Sequence, residues 1–160
     1  MTTNRNSRNT PVMKTRRADS CRELAKRPTP SYCPGCEAVF LAGRWSWQKA
    51  PWNAEKAPCP ACIRIANRTP AGYVDLSGAY LAEHRGEIVN LIHNTESFEK
   101  GRHPLERIMG ISEERGRTRV TTTGTHLARR LGAALYRACS GDLTVRYASG
   151  DQVVQVGWQR

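Results

Sequence analysis

Cys33-Pro34-Gly35-Cys36 and Cys59-Pro60-Ala61-Cys62 are two C-P-x-C hooks with 22 residues between them. Four thiolates offered in two pairs are the donor set of one tetrahedral zinc, and a two-residue gap turns both sulfurs of a pair toward one ion. Proline stiffens each hook before binding, and the small residue after it permits the tight turn. A repeated C-P-x-C is far more specific than a lone C-x-x-C. Three other chemistries use the same residues. Iron takes the same four sulfurs. Thiol–disulfide redox pairs need a strand–turn–helix around each hook, whereas Thr29-Pro30-Ser31-Tyr32 reads as loop. A disulfide framework needs an oxidising compartment, whereas the start of this chain is basic, polar and without a secretory leader. The expectation is one structural Zn2+ held by Cys33, Cys36, Cys59 and Cys62. With four protein ligands the site has no open position for water, so it holds a fold and does not catalyse.

No second chemical constellation stands out. The histidines are His84, His93, His103 and His126, and none has metal or triad spacing. His84 and His93 are nine apart on one expected helix, which places them on roughly opposite sides. The run Thr121-Thr122-Thr123-Gly124-Thr125 could bind an anion through backbone N–H groups, but plain N-capping is the favoured reading. The G-x-x-x-x-G-K-[ST] pattern is absent. Asp75, Glu83 and Glu87 form no distinctive carboxylate pair. Without a nucleophile–base–orienter set, a protein that is not an enzyme and has no small-molecule substrate is expected.

Charge points to a polyanion. Of the net +11, residues 1–28 carry +6, residues 29–71 carry +3 and residues 72–160 only +2. A basic arm beside a small metal module reads as an RNA- or DNA-binding surface. The plain alternative is a solvated start with no partner. Candidate RNA contacts are Arg5, Arg8, Lys14, Arg16 and Arg17 in the arm and Arg44, Trp45, Lys49, Trp52, Arg64 and Arg68 in the metal module. Arg130 and Arg137, seven apart on one helix face, extend the set. Trp45 and Trp47 are read either as a small core or as a stacking platform, with packing favoured for at least one. Trp52 is the better exposed candidate. No stretch approaches a membrane span. Cys21 and Cys139 lack local partners, which favours a reducing cytoplasm, and Cys139 reads as a packing residue.

The elements that must position these residues fall into three segments. Residues 1–28 hold too little apolar mass to offset ordering entropy and are read as a flexible basic arm, with a short helix around Asp19 to Arg27. Residues 29–71 are read as a zinc-ribbon module, with a strand at Ala38–Leu41, a turn at Gly43 and period-two alternation over Arg44–Gln48. Residues 72–160 have the clearest rhythm. A strand at Gly72–Ser77 leads to a helix over about Ala79 to Phe98. Strands at Glu106–Ser112 and Arg117–Thr123 meet at a turn. A helix over His126–Cys139, capped by Thr123, precedes two alternating strands around Leu143–Tyr147 and Val154–Trp158. The class is α+β. The order β-α-β-β-α-β with one extra C-terminal strand predicts a ferredoxin-like domain. The third strand lacks the aromatic residues of an RNA-recognition motif, so that subtype is not expected.

The stretches C-P-x-C…C-P-x-C, P-A-G-Y-V-D-L-S-G, H-P-L-E-R-I-M and T-T-T-G-T-H-L-A-R-R-L-G together resemble a family of short bacterial zinc-ribbon proteins, over about residues 30–160. More remotely, the ribbon and the last of these stretches resemble parts of the archaeal and eukaryotic large-ribosomal-subunit export adaptor linked by name to nonsense-mediated decay. That adaptor has four cysteine pairs where this chain has two. The resemblance implies that Cys33, Cys36, Cys59 and Cys62 bind metal and that the partner is rRNA or a ribosomal subunit, with ribosomal proteins as further partners. The role expected is ribosome maturation, quality control or stress-time inactivation. A ribbon that docks a protein partner is the alternative.

Overall fold

Apolar residues are sparse around the cysteine hooks, and the strands there are correspondingly short. A computed structural model describes residues 27–148, 150 and 152–160 of this chain, and places them in two sheets. The first contains β1 (Ser31–Tyr32), β2 (Val39–Leu41), β3 (Arg44–Ser46) and β4 (Glu55–Lys56), in the order β3-β2-β1-β4. Its apolar cluster is small: Ala38, Phe40, Trp45 and Ala61 beside Cys33 and Cys59, with Leu105 from the other sheet's module packed against it. Helix α1 (Pro60–Asn67) closes this module, and Arg68 ends it in the left-handed conformation at φ 54°. Arg5, Arg8, Lys14, Arg16, Arg17, Cys21 and most of the helix expected at Asp19–Arg27 lie outside the described residues.

The second sheet has β5 (Gly72–Ser77), β6 (Ile108–Glu114), β7 (Arg117–Thr122), β8 (Asp142–Ala148) and β9 (Val153–Gln159), in the order β6-β7-β5-β9-β8. Helices α2 (Ala79–Glu83), α3 (Arg85–Arg102) and α4 (Thr125–Cys139) complete it. Period-two alternation turns Val74, Leu76, Val120, Val154, Val156 and Trp158 to one face, where they pack on Ile88, Ile92, Leu127, Leu131 and Leu135 of the long helices. The fold is mixed α+β, a helix layer on a mostly antiparallel sheet. β5 and β9 pair in parallel, from Gly72–Val154 to Ser77–Gln159. The extra strand β9 therefore enters the sheet between β5 and β8, and β8 becomes an edge. Gly132 lets α4 approach β9 closely, since a Cβ there would lie 2.6 Å from Val156 Cγ1.

Three expectations need correction. The single helix expected over Ala79–Phe98 is two helices broken at His84, whose φ of −115° and ψ of 25° leave the helical region. The second continues past the expected end at Phe98 to Arg102. The strand expected from Glu106 starts at Ile108, because Glu106 and Arg107 are drawn into contacts described below. A two-residue turn, Arg115 at φ 52° and Gly116 at φ 75°, joins β6 to β7. Among the described residues no helix is long and apolar enough to cross a membrane.

Candidate metal centre

The sulfur atoms of Cys33, Cys36, Cys59 and Cys62 all lie within 4.8 Å of one another, so these cysteines could hold a metal ion. Each hook is built differently. After the first, the chain folds back: Glu37 N–H donates to Cys33 O, Cys33 N–H donates to Ala38 O, and Glu37 takes a φ of 65°. A Cβ at Gly35 would sit 3.2 Å from Cys62 Sγ, so the hook closes tightly only with a small residue there. The second hook opens α1. Cys59 is its N-cap, Pro60 occupies the first turn, and the Cys59 sulfur accepts from Cys62 N–H at 3.4 Å. The first hook has a two-residue strand before it where loop was expected, and no helix after it. Helix α1 was not anticipated, although proline directly after a capping residue is a helix-start pattern.

The donor set fits a tetrahedral ion. Four metal–sulfur bonds of about 2.3 Å give sulfur–sulfur edges of about 3.8 Å; Cys36 Sγ and Cys59 Sγ are 3.7 Å apart. Burial presses the Cys33 thiol upward, but N–H groups of Cys59, Gly35 and Cys36 outweigh it and bring the group down to about 7. One of these, Cys59 N–H to Cys33 Sγ, measures 3.2 Å. Burial, with the neighbouring Cys36 and Cys33 sulfurs, pushes the Cys59 thiol up. Cys62 is also pushed up by burial, against the pull of Arg107. Packed this closely, four sulfurs cannot all be thiolates without a compensating cation.

Part of that cation is supplied from outside the hooks. Arg107, 9% exposed, aims its guanidinium into the cluster. Its terminal nitrogens donate to Cys36 Sγ at 3.1 Å, Cys59 Sγ at 3.2 Å and Cys62 Sγ at 3.5 Å. Its Nε donates to Pro104 O at 2.9 Å. Burial opposes the charge on Arg107, yet the sulfurs hold its pKa above the ordinary guanidinium value. Sequence spacing does not mark Arg107, which lies 45 residues beyond Cys62.

Beside this contact a cleft of about 310 Å³ lies between the modules, lined by Trp45, His103, Pro104, Leu105, Glu106 and His126. The His103 and His126 rings meet edge-on at 5.9 Å. His126 Nε2 lies 3.0 Å from Oε2 of the buried Glu99, whose Oε1 accepts from Arg130 at 2.7 Å. Burial pushes Glu99 up, but the Arg130 and His126 contacts prevail and hold it below the usual carboxylate range. Glu106 is pushed up by burial. Its carboxylate accepts from Leu127 N–H at 2.8 Å, at the start of α4. This corrects the expected cap. Gly124 is the N-cap residue, and Thr123 Oγ1 instead donates to Leu105 O. A distant carboxylate stands at the helix N-terminus where an anion was considered. The histidine and carboxylate grouping was invisible in spacing because it joins α3, α4 and the segment between α3 and β6.

The candidate RNA contacts separate by exposure. Arg44, Lys49, Trp52, Arg68 and Arg137 are exposed, and Trp52 is 98% exposed. Arg64 is half-buried and donates to Thr69 O at 3.2 Å. Arg130 is engaged by Glu99. Trp45, named as a candidate RNA contact, lies instead in the core at 8% exposure, in line with the packing reading favoured for one of the two tryptophans, with the Phe40 ring 5.4 Å away and the Arg27 guanidinium 5.6 Å from its centroid. Trp47 does not share its face. It lies beyond β3, and its Nε1 donates to Lys100 O at 2.6 Å. Cys139 is half-buried and packs on the larger core.

Comparison with protein families, with curated proteins and with solved structures finds no match to this chain.

Proposed function

We propose that this is a zinc-binding, RNA-associated protein whose target is rRNA or a ribosomal subunit, and that it is not an enzyme. The observation that carries the reading is the exposure of Trp52, at 98%, in a stretch of chain that also holds the exposed Arg44, Lys49, Lys56 and Arg68. An indole among cations is the arrangement that stacks on unpaired bases while neutralising phosphates. The closed four-sulfur site supports zinc as a structural ion, because it offers no position for substrate. The second module is read as a ferredoxin-like unit widened by β9. Two crossovers support this: β5 to β6 spans β7, and β7 to β8 spans β5 and β9. The protein is placed in the cytoplasm on the same basis as its partner, since free cysteines and ribosomes belong to a reducing compartment.

The test is purification of the full chain from cells at low salt, with elemental analysis of the protein and identification of bound RNA and proteins. One zinc per chain and ribosomal RNA are expected. Protein without metal, or with iron, overturns the zinc assignment. Capture of a single protein partner without RNA overturns the RNA reading in favour of protein docking.

A further inference from the structure

Among the described residues no strand pairing joins the two sheets. The Ala71 main chain bonds to Thr122 and Val154, Trp47 Nε1 donates to Lys100 O, and a buried polar contact places Arg107 on the sulfurs of Cys36, Cys59 and Cys62. The main chain of Arg107 belongs to the larger module. Its N–H donates to Thr123 Oγ1 and its carbonyl accepts from Thr123 N–H, both at 2.9 Å. Its neighbour Leu105 packs on the apolar cluster of the smaller module. One residue thus belongs to one module by backbone and to the metal centre by side chain.

Charge makes this contact conditional. Four thiolates around a divalent ion carry a net charge of about −2, and in a buried site that charge needs donors and a counter-cation. Arg107 provides both, and no carboxylate lies within ion-pair distance of it among the described residues. If the ion leaves, nothing holds the four sulfurs around one centre, and the guanidinium loses the fixed set of three acceptors it bridges. A buried charge whose partners are no longer held in place is strongly destabilising. The relief is for Arg107 to leave the cluster, drawing residues 104–107 with it. Of these, Pro104, Leu105 and Glu106 line the seam cleft.

We propose that Arg107 is the charge-balancing outer partner of the four-sulfur centre and the latch between the modules, so that metal occupancy governs their docking and the cleft between them. The inference rests on the metal-binding reading. It makes Arg107 a positioning residue, acting through the sulfurs.

Full-length parent, Arg107→Leu and Arg107→Lys would be loaded with Zn2+ or with Co2+, after metal stoichiometry is measured for each. Removing the N–H donors leaves the sulfurs more electron-rich. The sulfur-to-cobalt charge-transfer bands of Arg107→Leu should therefore move to longer wavelength. Zinc release to a chromogenic chelator should be at least about tenfold faster. Lysine keeps the charge but not the fork, so Arg107→Lys should fall between. In the parent, stripping the metal should cut hydrogen-exchange protection at the Arg107 and Thr123 amides at least about tenfold, with that of Val74 and Val156 retained. A parent that takes up no metal sinks the metal reading and the latch together. Metal-loaded Arg107→Leu with the parent's cobalt spectrum and release rate overturns the latch alone, as does metal-free parent that keeps full protection at Arg107 and Thr123. If Arg107→Leu does not fold, Arg107→Lys decides by the same two readouts.

Discussion

Glu99 shows how single residues join distant parts of this chain. It is 3% exposed, and its two oxygens are divided between His126 and Arg130. A buried carboxylate is costly unless both oxygens are satisfied, and here they are, by α4. Its pKa lies below the ordinary 4.5, since the Arg130 and His126 contacts outweigh the upward push of burial. A depressed carboxylate contributes stability that is present above its unfolded value and lost as pH falls through its folded value. Glu99→Gln keeps the shape and removes the charge. It should lower stability near neutral pH by about 1–3 kcal/mol, toward the modest end because Arg130 can hydrate. The gap between parent and variant should close as pH falls below 4.5 and through the lower folded value, measured by chemical denaturation at several pH values. A gap that stays constant down to the acid limit would show that Glu99 acts through packing and not charge.

At the scale of elements, glycine separates two kinds of helix position. Gly132 faces β9, where a Cβ would meet Val156 Cγ1 at 2.6 Å and Leu143 Cδ1 at 3.0 Å. Gly101, in the last turn of α3, has no atom within 4 Å of a Cβ position. Alanine is the better helix former by about 1 kcal/mol, so the two sites share a propensity gain but differ in crowding. Gly132→Ala should lower stability by about 1–2 kcal/mol net, whereas Gly101→Ala should be neutral or raise it by up to about 1 kcal/mol, both read from denaturant midpoints. Where local pattern decides, the sequence was legible: β5 runs over Gly72–Ser77 as expected, and the stripe of Leu127, Leu131 and Leu135 on α4 is buried. Where tertiary contacts decide, it was not. Nothing in the alternation of β8 and β9 says that β9 inserts beside β5, because pairing order is set by how the sheet closes over the helices. The break at His84 carries no proline or glycine of its own. The two-residue strands β1 and β4 are too short to show any period.

For the whole molecule, the clustering of Cys33, Cys36, Cys59 and Cys62 was legible because the hooks are local motifs, while Arg107 and the seam were not, because they join segments far apart in sequence. Under the proposed RNA reading, Trp52 and the arm would contribute to binding in different ways. The arm supplies charge: residues 1–26 hold seven basic and two acidic side chains. Truncation should stop at Lys26, since Arg27 lies over Trp45 and donates to Pro58 O. If about five of those cations touch phosphate, their removal should reduce the slope of log affinity against log salt for a structured RNA by roughly four to five units. Trp52→Ala should leave that slope unchanged and cost about 1–3 kcal/mol of binding at every salt concentration, because stacking releases no counterions. Its full exposure means that metal content and melting should not change. Binding titrations of the parent, the truncation and Trp52→Ala over a range of salt separate the two contributions. An unchanged slope after truncation removes the arm from the interface. Parent-like affinity of Trp52→Ala removes the indole and leaves the metal module as a support for contacts made elsewhere.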